Sequence, residues 1–250
     1  MADVRTGLII GPSTGWMYAK EIFLTSEQEN FLREAGATAA EVAMYYWEDE
    51  RLLTLREGNA FDAESFPYRS VHLPDFSPTE EAERQVAIAR EVIGLADATT
   101  AVIHPLKVGG EYPMEIYTEM LAARVPLAVE NMDRNKDSGF RLEDLVKIVR
   151  EVDCRFVLDV QHAYERDPTM EYASELFLAL QDQLSHLHVS GETKNNNHAL
   201  VCTAINAKAI LCFVSQVLST KPLPIILEGQ YESATDLGQE IKFVERELGF

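Results

Sequence analysis

Short apolar runs alternate with amphipathic stretches along the whole chain. Leu8-Ile9-Ile10, closed by the turn residues Gly11-Pro12-Ser13-Thr14-Gly15, predicts a first strand. A polar-faced helix follows, with Thr25 or Ser26 as its N-cap and Gly36 as its stop. Ala39 to Met44 is a second strand, and the aromatic, then charged, segment from Tyr45 onward has no placeable helical period. Ser70 to Leu73 is a third strand. Ser77-Pro78-Thr79-Glu80 is a capping box opening a helix that runs to Ala96, with Val86, Ile88, Val92 and Ile93 for its inner face. Thr100 to Ile103, Leu127 to Glu130 and Leu184 to Val189 are further strands. Phe156-Val157-Leu158 reads as a buried strand that stops at Asp159, and Pro224 to Glu228 is the last. Helical spacing recurs over Met114 to Ala123, Arg141 to Val152, Met170 to Leu180 and Ala204 to Leu218. A final helix is capped by Ser233 and ends at Gly249. Strict alternation implies a parallel sheet with crossover helices. Eight such units in 250 residues fit a closed (β/α)8 TIM barrel, a single domain over residues 1–250 with no linker or composition break.

Composition narrows the partners. The apolar fraction of 46% supports a sizeable core, and no apolar run approaches the ~18 residues a membrane span needs. The net charge of −19, from 22 basic against 41 acidic residues, opposes a nucleic-acid partner, since such binding rests on Lys and Arg neutralising phosphates. Cys154, Cys202 and Cys212 are odd in number and irregularly spaced, which reads as reduced core thiols in a cytoplasmic protein. The apolar region Ile210-Leu211-Cys212-Phe213-Val214 suits a homo-oligomer contact, and burial against the barrel accounts for it equally well.

The chemistry gathers at the strand ends. The third strand ends at His72, the fourth at His104, the fifth at Glu130 and the sixth at Asp159, with His162 just beyond. The seventh carries His186 and His188, and the eighth ends at Glu228. The sixth and last histidine, His198, lies in the polar loop after the seventh strand. Strand C-termini meet at one face of a barrel, where barrel active sites lie. Each residue taken singly has a bland account: a hydrogen-bonded core histidine, a Glu130 paired with lysine, an Asp159 capping the next helix, a Glu228 capping a turn. Those accounts would have to hold independently six or more times at one face. Carboxylate and imidazole donors together suit zinc, manganese or iron(II) better than calcium, and the lack of thiolates argues against a structural zinc site. His186 and His188 share strand parity, so His188 is taken as the ligand nearer the mouth and His186 as lying one layer deeper.

Val71-His72-Leu73-Pro74, Val102-Ile103-His104-Pro105, Val129-Glu130-Asn131, Asp159-Val160-Gln161-His162-Ala163-Tyr164, His186-Leu187-His188 and Leu227-Glu228-Gly229 together resemble, in order, the motifs of the xylose-isomerase-like barrel superfamily. That superfamily includes endonuclease IV and many sugar isomerases and epimerases. Resemblance to the isomerase and epimerase branch implies one divalent metal, zinc or manganese, held by Glu130, Asp159, His188 and Glu228. Glu130 and Glu228 would then move a proton beside the carbonyl of a small sugar or sugar phosphate, with His162 orienting the substrate. Resemblance to the endonuclease IV branch implies up to three zinc ions for phosphoester hydrolysis. It adds His72 and His104 around a shared Glu130, and a third set of His162, His198 and a carboxylate two residues before His198. Asn196 stands at that last position, an amide where an acid is expected, which puts the third ion in doubt. The small-molecule isomerase or epimerase is the first reading and the hydrolase the second. A metal-binding barrel without catalysis is the third.

Three further residues are candidate substrate contacts. Lys107 follows His104-Pro105 and could meet a phosphate or carboxylate. Trp47, beside Tyr46, could stack on a sugar ring, although packing under the rim explains it as well. Arg134, with Lys136, could close over an anion.

Overall fold

The computed structural model describes residues 7–22, 25–47, 50–57, 61–76 and 81–250. Its strands are Ile10–Pro12 (β1), Ala39–Ala43 (β2), Tyr68–His72 (β3), Thr100–Ile103 (β4), Leu127–Glu130 (β5), Arg155–Asp159 (β6), Leu184–Val189 (β7) and Ile225–Leu227 (β8). The helices between and after them are Thr25–Ala35 (α1), Glu50–Glu57 (α2), Ala82–Leu95 (α3), Met114–Ala122 (α4), Leu142–Val152 (α5), Val160–Arg166 (α6), Glu171–Leu180 (α7), Ala207–Thr220 (α8) and Ala234–Leu248 (α9). All the strand pairings are parallel, and the strands run β1-β8-β7-β6-β5-β4-β3-β2 around the sheet. This is a single (β/α)8 barrel.

The ring closes between β1 and β2. Ser13 bridges Glu41, the Thr14 amide donates to the Glu41 carbonyl at 2.8 Å, and the Thr38 amide donates to the Ile10 carbonyl at 2.8 Å. That seam depends on Gly11. A Cβ there would stand 1.7 Å from the carbonyl oxygen of Ala39, on backbone that cannot move without parting the strands. Gly11→Ala is therefore expected to destabilise the fold by ~3 kcal/mol or more, at the upper end of overpacking costs. A urea midpoint unchanged from the parent chain would show instead that the seam yields freely.

Outward strand positions such as Val42, Val71, Ile103, Val129, Phe156, Leu158 and Leu187 pack against the helices and form the main core. Inward positions are different. Val102, Ala128 and Val157 form a small separate apolar cluster on one side of the barrel interior. The other side holds buried polar groups: Glu41, Ser70, Thr100, His186 and His188. The alternation of β-strand side chains thus separates the layer that stabilises the barrel from the layer that carries chemistry.

Several elements depart from the apolar pattern. β1 begins at Ile10 rather than Leu8, because pairing with β8 starts at Ile10 and Ile225. α6 has no counterpart in the apolar pattern; the Asp159 carboxylate starts it by accepting the His162 amide at 2.6 Å, the capping role that is the bland account of that residue. Met170 adopts a left-handed backbone (φ 66°), so α7 starts one residue later than its spacing suggests. α8 starts at Ala207, after a short 3-10 turn over Val201–Thr203. α2 occupies the segment whose helix could not be placed from sequence. Ser77, Pro78, Thr79 and Glu80 of the expected capping box lie outside the described residues. Among the described residues, no helix is long and apolar enough to cross a membrane.

Candidate metal centre

Glu130 stands at the middle of the C-terminal face, 1% exposed at the end of β5. Its two oxygens look in different directions. Oε2 lies 3.2 Å from His72 Nε2 and 3.8 Å from His104 Nε2. Oε1 lies 3.0 Å from His188 Nδ1 and 3.6 Å from His162 Nδ1. Glu228 joins from the end of β8, with Oε1 3.3 Å from His188 Nδ1 and Oε2 3.8 Å from His198 Nδ1.

Asp159 is fixed from both sides of its backbone. The Asn131 side-chain amide donates to the Asp159 carbonyl, and the Asp159 amide donates to Asn131 Oδ1, each at 2.9 Å. One carboxylate oxygen caps α6; the other, Oδ2, is buried without a hydrogen-bond partner. Donor atoms of Glu130, Asp159, His188 and Glu228 all lie within 4.8 Å of one another. Two buried carboxylates and the partly buried Glu228 converge on one imidazole, and an orphaned carboxylate oxygen sits among them. The set fits a divalent cation with mixed oxygen and nitrogen donors, such as manganese or zinc.

A second group, His72, His104 and Glu130, meets the same distance criterion and shares Glu130 with the first. His104 Nδ1 is tied to Asp75 Oδ1 at 2.6 Å, which leaves Nε2 toward Glu130. Among the described residues, no third group includes His162 or His198. Their rings meet edge-on at 5.5 Å, but Asn196 is turned onto the backbone of His198: its Oδ1 accepts the His198 amide at 2.9 Å and its Nδ2 donates to the His198 carbonyl at 3.2 Å. The amide that replaces the expected acid therefore serves the loop.

Burial and charge pull these groups apart. Burial raises Glu130, but His188, His72 and His162 outweigh it and hold its carboxyl well below the usual range. Burial pushes Glu228 well up, with Asp159, Glu130 and Glu41 adding to it against His188. Burial lowers His188, yet Glu228, Glu41 and Glu130 carry it well above an ordinary imidazole. Burial holds His186 down at about 4, as a neutral ring. One site thus contains one carboxyl pushed down and another pushed up side by side, the kind of separation that acid–base chemistry uses.

The mouth is a cavity of about 560 Å³ bordered by His72, His104, Glu130, His162, His198 and Glu228, with an aromatic wall that includes Trp16, Tyr45, Tyr46 and Trp47. Trp47 is 3% exposed, stacks on Phe76 and donates Nε1 to the Asp75 carbonyl at 3.0 Å, so it packs under the rim as much as it lines the cavity. Lys136 lines the cavity, with Nζ 3.7 Å from Asp75. Lys107 lies over the Tyr112 ring and Arg134 reaches Glu165 at 3.5 Å; neither borders the cavity, because each has a partner elsewhere on its loop or on α6. Asn131, Asp75 and Glu41 are contributors that the motifs did not single out as site residues. For Glu41, the only sequence signal is a lone acid inside the run Ala39-Ala40-Glu41-Val42-Ala43.

No protein-family model and no curated protein matches the chain. Solved structures do. The barrel is similar to a D-tagatose 3-epimerase-like protein (18% identity, TM-score 0.66, 97% of this chain and 98% of that one). It is similar to L-ribulose 3-epimerase (15%, TM-score 0.66, 98% and 95%). A xylose isomerase domain containing protein from Salmonella typhimurium LT2 aligns at 13% identity with a TM-score of 0.68 over 97% of each chain. At such identities the likeness is one of fold. The molecule is a (β/α)8 barrel with a cluster of acidic and histidine donors at the strand ends. Its fold is similar to that of these 3-epimerase and xylose-isomerase-domain barrels.

Proposed function

We propose that this chain is a divalent-metal-dependent enzyme that isomerises or epimerises a small sugar or sugar phosphate. The observation that carries the reading is the convergence of Glu130, Asp159, His188 and Glu228 within 4.8 Å, with Glu130 and Glu228 bordering the cavity at the mouth. These four residues would hold the ion. When bound, the ion supplies positive charge to the oxygen that becomes negative as a proton leaves the neighbouring carbon. The chain's own groups move the proton. Glu130 takes it at a carboxylate oxygen, and Glu228, which faces the same His188 nitrogen, returns one. His162 is anchored through Nδ1 to the Asn131 carbonyl at 2.9 Å and presents its other nitrogen to orient a substrate hydroxyl. The aromatic wall suits the apolar face of a sugar ring.

The test is solvent deuterium exchange across a panel of ketoses and sugar phosphates, with manganese- or zinc-loaded protein. Incorporation at a carbon beside the carbonyl of at least one compound is expected. No incorporation anywhere, by protein that binds metal tightly, would favour a barrel that binds metal without catalysis.

The second donor set, His72, His104 and Glu130, supports a second reading: a multi-ion phosphoester hydrolase of endonuclease IV type. Two or more ions per chain, with phosphate release from a model ester, would favour it. The charge of −19 weighs against nucleic acid as its substrate.

A further inference from the structure

The histidines around Glu130 are each tied by one ring nitrogen. His72 Nδ1 meets the Leu73 carbonyl at 3.1 Å, His104 Nδ1 meets Asp75 at 2.6 Å, and His162 Nδ1 meets the Asn131 carbonyl at 2.9 Å. His188 is tied through the opposite atom: its Nε2 lies 3.2 Å from Glu41 Oε2, deep inside the barrel. Glu41 and His188 are both 0% exposed. We propose that Glu41, on β2, is a positioning residue for the metal centre: it accepts the His188 Nε2 proton and so aims the Nδ1 lone pair at Glu130, Asp159 and Glu228. The proposal rests on the reading of those residues as ligands.

Glu41 accepts through Oε2, while its Oε1 is buried without a hydrogen-bond partner. Ser70 Oγ donates to the same carboxylate oxygen at 2.8 Å. The Tyr68 hydroxyl meets His186 Nδ1 at 2.6 Å, with Thr100 Oγ1 3.1 Å from the same hydroxyl. His186 Nε2 faces Glu41 Oε2 from 3.6 Å and makes no hydrogen bond there. One imidazole N–H from β7 and one hydroxyl from β3 are thereby directed at one carboxylate oxygen. Glu41, His186 and His188 could be viewed as a further cation site, since their donor atoms cluster as well. That use would take both ring nitrogens of His188 at once and leave no proton to fix its tautomer. An anionic acceptor behind a ligand imidazole raises ligand basicity and sets ring orientation.

The experiment has two arms. In zinc-loaded wild-type protein, the imidazole nitrogen shifts of His188, read by long-range proton–nitrogen NMR, are expected to show Nε2 protonated and Nδ1 on the metal. The reverse assignment would overturn the proposal without recourse to any variant. In Glu41→Gln, the amide can offer an N–H to His188 Nε2 and drive the proton to Nδ1. Manganese affinity, followed by the magnetic resonance signal of the free ion, is expected to fall about 10–100-fold while the fold is kept. Equal affinity in wild type and variant would overturn the role of Glu41 alone. Absence of metal binding in the wild type would overturn the ligand reading beneath it as well.

Discussion

Replacing Glu130 by glutamine is expected to lower turnover by about three orders of magnitude and leave the barrel folded. The substitution keeps shape and removes charge from the residue that faces both donor sets, Oε1 toward His188 and Oε2 toward His72. It removes the proposed base, and loss of a positioned base alone costs about 10²–10⁴-fold. The amide nitrogen must also point at one of two histidine rings, so one donor set is disturbed whichever way the side chain turns. Fold integrity is not at risk from burial, because a neutral amide is easier to bury than an anion. The measurement is the rate of deuterium incorporation into a substrate found by exchange, with circular dichroism and a urea midpoint alongside. Near-normal turnover in Glu130→Gln would remove Glu130 from the chemistry.

Stripping the divalent ion with chelator is expected to abolish exchange and to lower the melting temperature, with both restored by manganese or zinc. At free metal of about a thousand times Kd, an ion that binds only the folded chain adds ~4 kcal/mol. For a chain of this size that is roughly 10 °C. The source of the gain is visible in the site: Glu130, Asp159 and Glu228 are held close together, and Asp159 Oδ2 has no hydrogen-bond partner. A cation relieves that repulsion. A melting temperature indifferent to chelator, with activity retained, would overturn the metal-dependent reading.

The strand framework was legible because parallel strands buried on both faces are apolar runs with abrupt ends. β4, β5 and β7 have the bounds those runs predict, and the polar residues that end β5, β6 and β8 mark the face where ligands meet. α6 was not legible, since Val160-Gln161-His162-Ala163-Tyr164 spends its polar positions on the site rather than on an amphipathic stripe. Residues that act through others were also hidden. Asn131 acts on the Asp159 backbone and Asp75 on His104, contacts made across loops that no spacing encodes. Glu41 faces inward from a strand whose other members are alanine and valine, and its partner His188 lies on the far side of the chain in sequence. Asn196 shows the reverse case. It stands where an acid would complete a third ligand set, and its hydrogen bonds explain what the amide does there.

The seam between β1 and β2 meets at Glu41, whose backbone is bridged by Ser13 while its side chain crosses the lumen to His188. The contact that shuts the ring is therefore made by the same residue that aims a ligand. A chain with the seam open would carry every donor residue, yet His188 would lack its anchor and could offer either nitrogen. Completion of the fold is in this way a precondition for loading, and a partly assembled barrel is a poor competitor for scarce ions.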